Sequence, residues 1–185
     1  MPNHVINVLK FKKVKKDDID FLLNMITTES EHHPGTYHID FNKIIPEPKE
    51  ESECPEDCIV DRDSHVELTE DKPWFNWYEW RNRYWDTKWN AYDSYSIIAE
   101  EDETLTLVFN TAWSPPLSVI KRLIVLGYPF VHRWADECMV ENCGETSWSS
   151  EQGWRIAWTD DAFEDPDKES DYLWSEFGGM DFSEE

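Results

Sequence analysis

The sequence predicts an α+β fold: one antiparallel sheet with helices on a single face, built from two β-α-β units and a C-terminal β-meander. Three observations predict it. Short β-branched runs alternate with segments of helical apolar spacing in both halves of the chain. The phrases "FNKIIPEP" from Phe41 and "FNTAWSPP" from Phe109 echo each other, each with Phe-Asn leaving a strand and Pro seven residues after the Phe. Near the C-terminus, three strand-like runs are separated by the turn signals Asn142-Cys143-Gly144 and Gln152-Gly153.

Each element has its own local signal. "HVINVLKF" from His4 reads as a strand. The segment beginning at Asp17 reads as a helix capped by Asp17 or Asp18, with the apolar face Ile19, Leu22, Leu23 and Ile26. After Pro34-Gly35, Thr36 to Ile45 reads as a second strand, so that residues 4–45 make the first β-α-β unit. Pro73 opens a helix over 74–85. Trp74, Tyr78, Arg81 and Trp85 line one face of it, and Trp77, Trp80 and Tyr84 an adjacent one. An apolar arc so wide suits a helix held between two layers. Residues 94–112 read as two strands around Glu101 to Glu103. In "SPPLSVIKRLIVLG", Ser114 is the expected N-cap, Pro115 the first helical residue and Gly127 the C-cap. Leu117, Ile120, Leu123 and Ile124 form its buried face. Two split β-α-β units in one sheet amount to a ferredoxin-like architecture.

With 185 residues, the chain suits one domain over 1–158, interrupted by an insertion at 46–73 and followed by a tail at 159–185. These boundaries come from charge. The net charge is −23. Residues 1–16 hold five Lys and no acid, residues 46–73 hold eleven acids against three bases, and residues 159–185 hold eleven against one. The insertion is rich in Pro and charge and reads as a surface excursion. The tail interleaves Phe163, Tyr172, Leu173, Trp174, Phe177 and Phe182 with its acids, a composition suited to docking on its own domain or on a partner. So acidic a surface repels phosphates, which argues against direct nucleic-acid binding. It suits the opposite role, occupation of a basic groove that normally holds nucleic acid.

Motifs for chemistry are sparse. G-x-S-x-G, S-x-x-K and a Gly-rich phosphate loop are all missing from a chain with six Gly. His32, His33 and His38 gather in a loop-like stretch without H-E-x-x-H spacing. His132 is expected as a strand histidine bonded to a neighbour. Cys54, Cys58, Cys138 and Cys143 are spaced C-x3-C and C-x4-C, wider than the usual zinc pairs; buried thiols are the expectation and a four-cysteine zinc site stays open. Lys88, flanked by Trp89, is read as covering an aromatic edge with its stem, against the alternatives of a cation–π pair or a desolvated amine. No cofactor is expected. No apolar run reaches the ~18 residues of a membrane span, and "MPNHVINVLKFKK" lacks the order of a signal peptide. The expected location is the cytoplasm.

"PNHVINVLKF", "FNKIIPEP", "WDTKWNAYD" and "F-x-TAWSPPLSVIKRL…YP" together resemble the YubB-like ferredoxin-like family of bacteriophage, prophage and conjugative-plasmid proteins. The resemblance runs from Pro2 to Glu137, with a gap at the insertion. It implies a ferredoxin-like fold and a mobile-element origin, and carries no catalytic residues. Where that family has Gly-Thr-Lys-Trp, this chain has Asp86-Thr87-Lys88-Trp89; where it has Trp, this chain has His4. The acidic tail and the acids of the insertion lie outside the shared pattern.

The expected function is non-enzymatic: inhibition of a host nucleic-acid-binding defence protein, such as a CRISPR effector or restriction nuclease, inside the host cell. The expected contacts are Glu50, Glu51, Glu53, Glu56, Asp57, Asp160, Asp161, Glu164, Asp165 and Asp167, with Tyr172, Trp174 and Phe177 as aromatic anchors. The alternatives are a small enzyme, metal-dependent through His32, His33 and His38 or lysine-based through Lys88, and a structural or assembly component of the mobile element.

Overall fold

A computed structural model describes residues 3–29, 34, 36–55, 74–99, 103–137 and 142–159. Strand β1 (His4–Lys12) lies inside a six-stranded antiparallel sheet, between β5 (Thr104–Ala112) and β6 (Phe130–Asp136). Beyond β5 lies β4 (Tyr92–Ala99), and beyond β6 lie β7 (Gly144–Ser149) and β8 (Gly153–Thr159). The order is β4-β5-β1-β6-β7-β8. Alternation along β1 sets which face each residue takes: Leu9 and Phe11 are buried, and Lys10 and Lys12 between and beyond them are exposed.

The first β-α-β unit closes differently from the expectation. Thr36–Ile45 is not one strand. β3 (Tyr37–Ile39) pairs with β2 (Thr27–Glu29) in a separate two-stranded ribbon, and helix α2 (Phe41–Ile44) comes at once after it. The cause is Asp40. Its Oδ1 accepts from the Asn42 amide at 3.0 Å, while Asn90 Oδ1 takes the Phe41 amide at 2.9 Å. This capping chemistry outcompetes the β preference of Ile44 and Ile45. The strand that completes the unit is β4, far later in the chain.

Helix α1 (Lys16–Ile26) buries the four residues expected, Ile19, Leu22, Leu23 and Ile26. Its cap is Lys15, which makes no side-chain capping bond; Asp17 and Asp18 lie in the first turn, where they face the positive end of the helix dipole. Helix α3 (Trp77–Tyr84) is shorter than expected because Asn76, not Pro73, starts it, accepting from the Glu79 amide at 3.1 Å. Pro73 lies outside the described residues. Of the two aromatic faces, Trp80 and Trp85 are buried, and Trp74, Trp77, Tyr78 and Tyr84 are half-buried. Helix α4 (Leu117–Arg122) continues as a 3-10 turn, Leu123–Leu126, and ends at Gly127, whose φ of 78° is the left-handed conformation expected of a C-cap glycine. Val119, Ile120 and Leu123 are buried there, with Leu117 and Ile124 half-buried.

Among the described residues, all four α-helices and β3 contribute to one core on one face of the sheet. Leu9, Phe11, Leu105, Leu107, Phe109 and Phe130 of the sheet meet Leu22, Ile39, Phe41, Trp80, Trp85 and Ile120. The other face carries the alternate residues: Ile6, Val8, Lys10 and Lys12 of β1, Thr106 and Val108 of β5, and Val131, Arg133 and Ala135 of β6.

Candidate partner-binding surfaces

The aromatic stretch after α3 is structural. Trp85 is wholly buried, its ring against Phe41 and Trp80 and its Nε1 donating to the Ile45 carbonyl at 2.9 Å. Next to it, Asp86 has φ 61°, the left-handed conformation that the Gly of the resembled family would adopt freely. The carboxylate is what the aspartate adds. Its Oδ2 accepts from the Ser118 amide at 2.6 Å, capping α4 from a distant part of the chain. Ser114 is therefore not the cap: its hydroxyl donates to the Asp86 carbonyl. Asp86→Ala is expected to lose about 2 kcal/mol, roughly half from the cap and half from strain. Asp86→Gly keeps the backbone relaxed and is expected to lose less than about 1 kcal/mol. Urea unfolding of both variants checks this, and equal losses would contradict the strain component.

Lys88 is half-buried, with Nζ 4.9 Å from the Trp89 ring centre and 5.0 Å from that of Trp113. The ammonium thus makes cation–π contacts with two rings, rather than the stem-only covering expected. Its second ring comes from a residue 25 positions away, which local spacing does not reveal. Among the described residues no three His, Cys, Asp or Glu gather as metal ligands. His38 is half-buried on β3; His32 and His33 lie outside the described residues. Cys54 and Cys143 are buried, and Cys58 and Cys138 lie outside the described residues. His132 is a core histidine bonded to a neighbour, as expected: its Nε2 lies 3.0 Å from Asn7 Oδ1 and its ring stacks on Trp134.

The expected acidic contacts divide. Glu50, Glu51 and Glu53 are exposed on and just before a 3-10 turn, Glu51–Glu53. Glu53 turns back to accept from the Lys49 amide at 2.8 Å. The root of the insertion is tied to α3. Glu47 pairs with Arg81, whose guanidinium lies 5.2 Å from the Trp77 ring centre and 5.1 Å from that of Trp85. Beside it, a cavity of about 480 Å³ opens between Pro46, Pro48, Pro55, Trp80 and Tyr84. Glu56, Asp57, Asp160, Asp161, Glu164, Asp165, Asp167, Tyr172, Trp174 and Phe177 lie outside the described residues.

Charge is sharply segregated. Of the 40 acids, 17 fall in the described residues, as do 14 of the 17 bases; the described body is therefore only −3, and −20 of the −23 resides elsewhere. Four of those bases share the sheet face away from the helices: Lys10 and Lys12 on β1, Arg133 on β6 and Arg155 on β8. Arg133 pairs with Glu145 at 2.6 Å. Sequence reasoning missed this cationic face, although the alternation Leu9-Lys10-Phe11-Lys12 was its visible signal.

The strands that complete two split β-α-β units stand side by side as β6-β1-β5-β4, with helices on one face. Residues 84–174 match the family model described as a ferredoxin-like domain in Api92-like protein. The domain is ferredoxin-like. The match takes in β4 to β8 of this ferredoxin-like domain and runs on past β8 into the acidic tail. No curated protein and no solved structure matches the chain. No helix among the described residues is long and apolar enough to cross a membrane.

Proposed function

We propose that this chain is a non-enzymatic binding protein of a phage or plasmid, which inhibits a host nucleic-acid-binding defence protein by presenting a nucleic-acid-like negative surface. The observation that carries the reading is the charge segregation: a nearly neutral, aromatic-cored ferredoxin-like domain bears segments that hold almost all of the net charge. Such a layout suits a rigid scaffold with charged arms. Lys and Arg of a groove built for phosphates would meet carboxylates at comparable density. Tyr172, Trp174 and Phe177 would supply apolar anchoring, since aromatic residues dominate interface energetics. The resemblance of its N-terminal and central motifs to mobile-element proteins supports the origin.

The test uses purified CRISPR effectors and restriction nucleases, with DNA cleavage and binding as readouts. The protein is expected to inhibit at least one of them, with affinity that falls as salt rises. Replacing the ten acids Glu50, Glu51, Glu53, Glu56, Asp57, Asp160, Asp161, Glu164, Asp165 and Asp167 by their amides is expected to weaken binding at least about 100-fold and flatten the salt dependence. Unchanged affinity in that variant would sink the proposal, as would failure to inhibit any member of the panel.

A further inference from the structure

Three of the segments that carry the family resemblance meet at one end of the sheet, around Lys88. "PNHVINVLKF" brings Asn3 and His4 at the start of β1, "WDTKWNAYD" brings Lys88, Trp89 and Tyr92, and "TAWSPP" brings Trp113 just past β5. His4 pairs with Ala112 across β1 and β5, which sets Trp113 beside the start of β1, where its amide donates to the Asn3 carbonyl at 2.9 Å. Asn142 Nδ2 donates to the Trp113 carbonyl at 2.8 Å. His4 Nδ1 lies 2.7 Å from the Tyr92 hydroxyl, and the Tyr92 ring meets that of Trp89 edge-on at 6.2 Å.

Two features of this end are not explained by packing. The first is Trp113. Its φ is 71°, a left-handed conformation that a residue with a Cβ, and a bulky one above all, avoids. Both of its backbone groups are tied down to hold it there, yet 44% of the residue is exposed, so burial offsets little of the strain. Asp86 and Asp93, at φ 61° and 48°, bracket the Lys88 segment as well. Strained backbone of this kind clusters at ligand clamps. The second feature is Lys88. Half-buried against the Trp89 and Trp113 rings, it meets no hydrogen-bond acceptor and no carboxylate among the described residues. Ring faces attract its charge but leave its three N–H groups without a protein acceptor.

This chemistry selects the ligand. An exposed indole offers a flat face on which any nucleobase stacks, and a lysine ammonium is a point charge suited to phosphate oxygens. Asp93 and Glu137, both exposed, stand at the same end and limit the negative charge that a ligand can bring. A strand of nucleic acid would also meet the chain's −23, whereas a single phosphate approaches a described body of only −3. We infer that this end of the sheet binds a nucleoside monophosphate, whose base stacks on Trp113 and whose phosphate meets the Lys88 ammonium. None of the acids that carry the proposed inhibition takes part, so either activity can hold without the other.

The test is titration of the full chain with AMP, GMP, CMP and UMP at low salt, followed by NMR through the indole N–H signals. At least one nucleotide is expected to bind with a Kd below about 1 mM. It should shift the Trp113 and Trp89 signals and leave in place that of Trp85, whose N–H is bonded inside the core. Ribose 5-phosphate and the matching nucleoside are each expected to bind at least about 10-fold more weakly, since each lacks one of the two contacts. Trp113→Ala and Lys88→Gln are each expected to weaken binding about 10-fold. The Trp85 signal reports whether each variant is folded, and if one is not, the other decides. A Kd above about 1 mM for all four nucleotides overturns the inference, as does undiminished binding by a folded variant. Ribose 5-phosphate that binds as tightly as the nucleotides reduces the site to an anion contact and overturns it. So does an octanucleotide that binds more than about 10-fold tighter, which would assign the site to a strand.

Discussion

Trp85→Ala is expected to remove about 4 kcal/mol of unfolding free energy. Loss of a fully buried large aromatic costs roughly 3–5 kcal/mol, because the cavity left behind collapses only in part. Trp85 has little room for collapse around it: Phe41 packs at 5.6 Å between ring centres, Trp80 at 5.5 Å, and Arg81 stacks on the indole. The indole N–H also holds the Ile45 carbonyl, so truncation strands an acceptor at the point where the chain enters the acidic insertion. Trp85→Phe keeps most of the ring but loses this bond, and is expected to cost about 1–2 kcal/mol. Urea unfolding measures both. A loss below about 1 kcal/mol for the alanine variant would mean that the ring is not a keystone between α3, α2 and the sheet.

His132 makes the second large expectation, an acid-sensitive stability. It is completely buried, and burial lowers its pKa from 6.5 to about 3. Asn7 Nδ2 donates to the Val5 carbonyl and to Thr111 Oγ1, which leaves Asn7 Oδ1 to accept from His132 Nε2–H. The ring is thus held neutral. Because the folded value lies below the unfolded one, the unfolded chain binds the proton first. Stability is complete above about pH 6.5 and falls as pH drops towards 3, by about 1.4 kcal/mol per unit. Relative to His132→Gln, the unaltered protein should lose about 2 kcal/mol between pH 7.5 and pH 5. The comparison cancels the many carboxylates that titrate in the same range. Parallel pH profiles for the two proteins would refute it.

The legible parts of the fold were those that a few neighbouring residues decide. The buried face of α1 comes from helical spacing, and the Gly127 terminus from the one residue type that takes φ 78° without cost. The missed parts were those in which a distant group outbids a local preference. Ser114 has the identity and position of an N-cap, yet a carboxylate from residue 86 occupies that role. Ile44 and Ile45 favour a strand, yet Asp40 and Asn90 hold the amides that start a helix. The candidate surface divided in the same way. Acid-rich segments can be seen by counting, whereas Lys10, Lys12, Arg133 and Arg155 come from three strands and meet only through pairing register.

By itself, the sequence determined the α+β class, the inward face of α1, and where the negative charge is concentrated. Those properties depend on composition and on periods of two or 3.6 residues, which any short window contains. Only the tertiary structure decided that β4 closes the first β-α-β unit, that Asp86 caps α4, that Trp113 supplies the second ring beside Lys88, and that a cationic face stands opposite the helices. Each depends on which strands pair and in what register. That choice is made by burial summed over the whole sheet, and no local window contains it.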